Sequence, residues 1–227
     1  MSSPSVRYRL NQMINNMKLL YSLLLILLLA SCGADFVVGG ETTETRQLGD
    51  FSRIDVDVIT DVIVEEGPSA EVVVVTDANF QEEVITTVED GILTIRLASS
   101  VPEGVDVSVI ARTSVLSVIK KDGIGDLSIS GISNVGSLTI DQDGIGDLTV
   151  ACQYSTMLIS KSGIGAYDGY GSNVEAIDIR QAGTGDCRVR CSDMLIGTMS
   201  STGDLLYRGT PFVDIKVNGT GQLINDN

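Results

Sequence analysis

A glycine-centred motif returns six times in the second half of this chain, and no other feature constrains its folding as tightly. The units are Gly123-Ile-Gly-Asp126, Gly144-Ile-Gly-Asp147, Gly163-Ile-Gly-Ala166, Gly183-Thr-Gly-Asp186, Ser201-Thr-Gly-Asp204 and Gly219-Thr-Gly-Gln222, with starts 21, 19, 20, 18 and 18 residues apart. A turn recurring at about twenty residues signals a solenoid, one coil per repeat. Around each turn, apolar residues alternate with period two, which is strand patterning. After the turns stand Leu127, Leu148, Tyr167, Cys187, Leu205 and Leu223, and two residues later Ile129, Val150, Gly169, Val189, Tyr207 and Asn225. Before the turns stand Ile119, Ile140, Ile159, Ile179, Gly197 and Ile215, preceded by Leu138, Met157, Ile177, Leu195 and Val213. Two strands per coil and no helical pattern predict an all-β, single-domain parallel β-helix of 18–21 residues per coil. Its coils would lie about 4.8 Å apart with like side chains stacked. The late Gly197, Asn225 and Asn227 predict a ladder that weakens toward a polar C-terminal cap.

The first half is strand-rich without repeating. Arg53–Asp57, Asp61–Glu66, Val72–Thr76, Ile85–Val88, Leu93–Leu97 and Val105–Ala111 are β-branched or alternating runs, with Gly67-Pro68 and Glu89-Asp90-Gly91 as turns. Asn79–Val84 predicts one short helical turn with Asn79 as its N-cap. No composition break precedes Thr113, so residues 47–112 are expected to form or cover the first coils of a domain spanning 47–227, with the repeating coils in 113–227. An uncovered solenoid end is an open sheet edge.

The N-terminus reads as an export signal. Arg7, Arg9 and Lys18 precede the largely apolar run Leu19–Leu29, too short for a comfortable membrane span of about 20 residues. The run ends in Leu29-Ala30-Ser31-Cys32, which resembles the bacterial lipobox and implies cleavage after residue 31 with lipid on Cys32. Residues 32–46 would then be a lipidated tether, Gly33–Thr45 being polar and Gly/Thr-rich. Gly33 lacks the acidic residue of inner-membrane retention, which by analogy favours the outer membrane. Cleavage removes three of the 15 basic residues and none of the 30 acidic ones, taking the net charge from -15 to -18. So acidic a chain opposes phosphate backbones and excludes nucleic acid as partner. With no histidine there is no Ser-His-Asp or Cys-His triad and no imidazole zinc ligand. Cys152, Cys187 and Cys191 remain after Cys32. Four residues of strand separate Cys187 from Cys191, about 13 Å, and Cys152 and Cys191 take equivalent places two coils apart, so none can bridge and buried thiols are expected.

The order Gln47-Leu-Gly-Asp-Phe-Ser-Arg-Ile-Asp-Val56, Asp61-Val-Ile-Val-Glu-Glu-Gly67, Asp77-Ala-Asn-Phe80 and Val88-Glu-Asp-Gly-Ile-Leu-Thr-Ile95, followed by the Gly-x-Gly-Asp units, resembles the head GIN domain family over residues 47–227. The resemblance implies an exported β-helical protein of auto-transporter adhesin type. It brings no ligand and no catalytic residue.

Asp126, Asp147, Asp186 and Asp204 share one register, and Asp122 and Asp143 precede their turns. Stacked carboxylates about 4.8 Å apart repel by about 1 kcal/mol in water. Ca²⁺ held by Asp122, Asp126, Asp143 and Asp147 would relieve this; the alternative is that each Asp hydrogen-bonds turn backbone. A pectinase-like enzyme would use the same column, since glycoside hydrolysis needs two carboxylates about 5–9.5 Å apart. Lys121, Gln142, Lys161 and Gln181 form a further register, read as a solvated column partly neutralising the acids. Outward positions such as Ser128, Thr149 and Lys161 would contact glycan or extracellular protein. The sequence therefore predicts a non-enzymatic, lipid-anchored envelope protein without cofactor, an adhesin or surface-binding module. The alternatives are a periplasm-facing scaffold or a carbohydrate-active β-helix.

Overall fold

The computed structural model describes residues 39–134 and 136–227; the predicted signal segment, Cys32 and the start of the tether lie outside them. The strands before the glycine repeats are β1 (Glu41–Arg46), β2 (Arg53–Asp57), β3 (Asp61–Glu66), β4 (Glu71–Asp77), β5 (Val84–Glu89), β6 (Ile92–Leu97) and β7 (Val107–Thr113). Through the repeats run β8 (Val118–Lys121), β9 (Leu127–Ser133), β10 (Ser137–Gln142), β11 (Leu148–Lys161), β12 (Tyr167–Gln181), β13 (Cys187–Met199), β14 (Leu205–Arg208), β15 (Phe212–Val217) and β16 (Leu223–Asn225). Strands β11, β12 and β13 turn a corner midway, so each closes one coil and opens the next.

Parallel pairing stacks the coils in the predicted register. Ile119, Ile140, Ile159, Ile179, Gly197 and Ile215 are successive partners, as are Leu127, Leu148, Tyr167, Cys187, Leu205 and Leu223. Most of these side chains are buried and form one continuous core. The glycines of each turn are crowded by the turn stacked on them, a Cβ on Gly146 lying 2.2 Å from the Gly125 carbonyl. A Cβ on Gly144 would lie 2.0 Å from the Gly123 carbonyl, and one on Gly163 2.1 Å from that of Gly144, so the stacked turns leave no room for a side chain. In the first four turns the second glycine also has positive φ, +122° at Gly125 and +116° at Gly146, a conformation that L side chains rarely adopt.

The first coil lies outside the glycine repeats. Strands β2 and β3 pair in parallel with β8 and β9, and Ile59 bridges to Ile124, which bridges on to Ile145, Ile164 and Thr184. Val56-Asp-Val-Ile-Thr-Asp-Val62 is therefore a repeat unit with Val58 and Thr60 in the glycine places. On its other face stand β6 and β7, joined by the nine residues Ala98–Asp106 rather than by a tight turn. Side chains are tolerated here, and the Thr60 hydroxyl uses the room to bond the Val107 carbonyl. The chain thus lays down coil β2–β3, adds β6–β7 on one side and continues with β8–β9 on the other.

Two local expectations are corrected. The helical turn is a 3-10 turn, Gln81–Glu83, entered from Phe80, and the Asp77 carboxylate accepts the Asn79 N–H, so Asn79 is not the N-cap. The tether boundary at residue 46 also moves, because β1 pairs antiparallel with β4 from Glu41 to Arg46. An edge strand exposed on both faces needs no apolar alternation, so Glu-Thr-Thr-Glu-Thr-Arg carries no strand signal.

Candidate functional site: a corner cleft beside two polar columns

The Lys121, Gln142, Lys161 and Gln181 column is buried, not solvated: the residues are 2%, 0%, 0% and 1% exposed. Lys121 Nζ donates to the Ile145 carbonyl at 2.9 Å, Gln142 Nε2 to that of Gly146 at 3.0 Å, and Lys161 Nζ to that of Thr184 at 2.9 Å. Gln181 Nε2 lies 3.3 Å from the Gly185 carbonyl oxygen. The carbonyls of Ile145 and Thr184 each already accept a backbone N–H, from Gly125 and Gly165 at 3.0 Å, and a long side chain with a donor at its tip supplies a second bond while its stem packs in the core. Burial holds both ammonium groups below the usual lysine range, with Asp147 among the carboxylates pulling the other way. The column therefore does partly offset the acids, from inside. Lys161 cannot be an outward contact.

The aspartates bind coil to coil. Asp61 Oδ1 accepts the Asp126 N–H, Asp126 Oδ1 that of Asp147, and Asp147 Oδ1 that of Ala166, each at 2.8 Å. Asp186 and Asp204 do the same for Asp204 and Gln222, at 3.0 and 2.8 Å. Each carboxylate thus serves the next coil rather than its own turn. Of the other two Ca²⁺ candidates, Asp122 pairs with Lys120, and Asp143 accepts the Ser162 hydroxyl at 2.6 Å. Among the described residues no group of three or more Cys, Asp or Glu side chains is placed to hold a metal ion.

Cys152, Cys187 and Cys191 are free and buried. Burial pushes the Cys152 thiol up to about 11 and the Cys187 thiol up to about 12, which removes thiolate reactivity at neutral pH. Cys191 does not share the Cys152 position. The Cys152 N–H bonds the Ser172 hydroxyl, whereas Cys191 pairs with Val174 and so with the Tyr154 column. The pairing register of β12 and β13 shifts at the corner, and equal spacing from the turn no longer means equal place.

That corner carries an open cleft of about 810 Å³. Its floor includes Tyr154, Val174 and Cys191, and Tyr154 is anchored by its hydroxyl, which donates to the Leu116 carbonyl at 2.6 Å. Along the cleft runs a polar row at strand spacing: Gln153 pairs with Asn173, and further on Arg190 pairs with Arg208. Small residues shape the bend. A Cβ on Gly171 would sit 2.8 Å from that of Ala151, and Gly209, with φ +104°, lies too close to the Cys191 carbonyl for a side chain.

One end of the cleft is locked. Arg208 lies 4.0 Å over the Tyr170 ring, its Nη2 is 2.8 Å from Asp226 Oδ2, and Tyr170 donates to the same oxygen at 2.8 Å. The Tyr170 hydroxyl, with Arg208 beside it, holds the Asp226 carboxyl below the usual range. Asp226 is therefore fixed as an anion, unsuited to act as a general acid. Arg190, which also lines the cleft, has no such partner among the described residues. Amides, a guanidinium and an apolar floor suit reversible contact with hydroxyl-rich or extended ligands. Sequence alone marks Cys191 as a buried thiol and none of the polar residues of the row, because no motif marks the corner; the amide row appears only once the coils are stacked.

Two crystal structures share the architecture. A putative adhesin from Bacteroides fragilis aligns over 82% of this chain and 97% of its own, at 16% identity and a TM-score of 0.64. A putative adhesin from Parabacteroides merdae aligns over 83% and 97%, at 16% identity and a TM-score of 0.51. At such identity the likeness speaks for the fold alone. No curated protein sequence is similar to this chain. A family model matches residues 50–211, from β2 to the turn before β15, and by that match the chain belongs to the family described as "Putative auto-transporter adhesin, head GIN domain".

Proposed function

We propose that the protein is a non-enzymatic, lipid-anchored module of the cell envelope, held to the outer membrane through Cys32 and binding glycan on another surface through the corner cleft. The cleft carries this reading: a concave row of amides beside the Arg190 guanidinium, which has no carboxylate partner among the described residues, on a stack of strands. The adhesin description of the family agrees with it. The basic residues, apolar run and Leu-Ala-Ser-Cys32 sequence support export and lipidation. Binding rather than cleavage is favoured because, of the two carboxylates lining the cleft, Glu175 and Asp226, the latter is fixed as an anion.

The test is a screen of the full chain against immobilised glycans and matrix proteins, with Asn173→Trp filling the cleft. Glycan binding that Asn173→Trp lowers at least tenfold, with unchanged melting, supports the proposal. Binding unaffected by the substitution places the contact elsewhere, and capture by protein alone replaces the ligand class.

A further inference from the structure

The two ends of the solenoid are finished differently. At the N-terminal end the outer strands are β5, antiparallel to β6, and β1, antiparallel to β4. Strand β1 is polar and exposed almost throughout, the kind of edge that discourages further pairing. At the other end, among the described residues, β15 pairs with β13 alone and β16 with β14 alone. One side of each backbone ladder is therefore open. The expected polar cap covers only the corner, where Asn227 bonds Asn225 and both backbone groups of Gly209. Strand β15 itself alternates apolar residues with Asp214 and Lys216. Phe212 is 69% exposed, and the core-facing Val213 and Ile215 are only half-buried, whereas Leu195 and Ile179 in the same ladders are fully buried.

We propose that this edge pairs with the same edge of a second copy, antiparallel, about a twofold axis at Ile215. The segment Val213-Asp-Ile-Lys-Val217 is its own complement in that arrangement. With Ile215 opposite Ile215, Asp214 of each copy faces Lys216 of the other, and Val213 faces Val217. Directly opposed residues in an antiparallel pair share a face, so the aliphatic pairs close the open core while the charged pairs lie outside. The charges also fix the register: a slip of two residues sets Lys216 against Lys216 or Asp214 against Asp214, and a slip of one turns the aliphatic set outward. A contact of this kind is self-complementary and closes as a dimer.

The experiment is sedimentation equilibrium of the full chain in density-matched detergent. The wild type is expected at twice its chain mass. Asp214→Lys and Lys216→Asp each set like charges opposite one another and are expected to give monomers. The double swap Asp214→Lys/Lys216→Asp restores both pairs and is expected to restore the dimer. An equal mixture of the two single variants is expected to form heterodimers, since every charge then finds its opposite. In parallel, Ile215→Cys is expected to form a disulfide with itself under mild oxidation, opposed Cα atoms in an antiparallel pair being about 4.5–5.5 Å apart, within a disulfide's reach; Phe212→Cys, facing Asn218, is not. Circular dichroism confirms that each variant is folded. A monomeric wild type, as when another segment or partner covers the edge, overturns the proposal. So does a dimer that survives both single charge reversals.

Discussion

Substitution at Asp126 and Asp147 separates two effects that the aspartate column combines. Each carboxylate accepts the N–H of the next coil at 2.8 Å, which favours the stack. Each also faces a like charge about one strand spacing away, an opposing term of about 1 kcal/mol in water and less in salt. A hydrogen bond to a charged acceptor contributes about 1.5–3 kcal/mol, and at this exposed edge, where water replaces a lost acceptor, the low end applies. Asp147→Ala loses bond and repulsion together and is expected to cost about 0.5–1 kcal/mol net, a fall in Tm of about 1–4 °C for a domain of this size. Asp147→Asn keeps an acceptor oxygen and sheds the charge, and is expected to stay within about 0.5 kcal/mol of the wild type. Asp126→Ala/Asp147→Ala should roughly double the loss while the double Asn variant holds. Urea midpoints at low salt measure these differences. Asn variants as unstable as Ala variants would refute the acceptor argument. Stabilisation of the wild type by calcium over chelator, absent in Asp122→Asn/Asp143→Asn, would show instead that these carboxylates hold Ca²⁺.

The close stacking of the turns makes Gly163→Ala a severe change: its Cβ would sit 2.1 Å from a backbone carbonyl, and a loss of about 4 kcal/mol or more is expected. Gly40→Ala, with open space around it, should be neutral, and urea midpoints distinguish the two. Lys161→Met removes a buried ammonium whose desolvation costs several kcal/mol, and the Thr184 carbonyl keeps the Gly165 N–H as its donor, so the variant should be at least as stable at pH 7. The folded-state lysine pKa is depressed, so the wild type gains stability as pH rises through that value toward 10.5, and the Met advantage should shrink by pH 10. An advantage that grows with pH would contradict this.

The ladders were legible because periodicity in sequence becomes stacking in space, so Ile119 through Ile215 and Leu127 through Leu223 fall in register. The first coil was not, because the signature of the repeat is a pair of glycines that crowding and positive φ make necessary, and at Val58 and Thr60 neither condition holds. The buried Lys/Gln column was half legible. Period two from Ile119 to Lys121 and from Ile159 to Lys161 already points both lysines inward; their polarity argues outward, and the carbonyls that reward the inward position are invisible until the turns stack. The aspartate bonds likewise join residues 18 to 21 apart in sequence. The cleft depends on register shifts at the corner and on Gly171 and Gly209, neither of which belongs to a repeated motif.

The most direct test of the account is protease treatment of intact cells carrying the full chain, followed by immunoblotting for the solenoid. A surface module tethered at Cys32 is expected to be shaved from cells whose outer membrane is whole, and Cys32→Ala to abolish its retention in the membrane fraction. Protection until the outer membrane is broken would contradict adhesion to an external surface and place the protein on the periplasmic side, as an envelope scaffold.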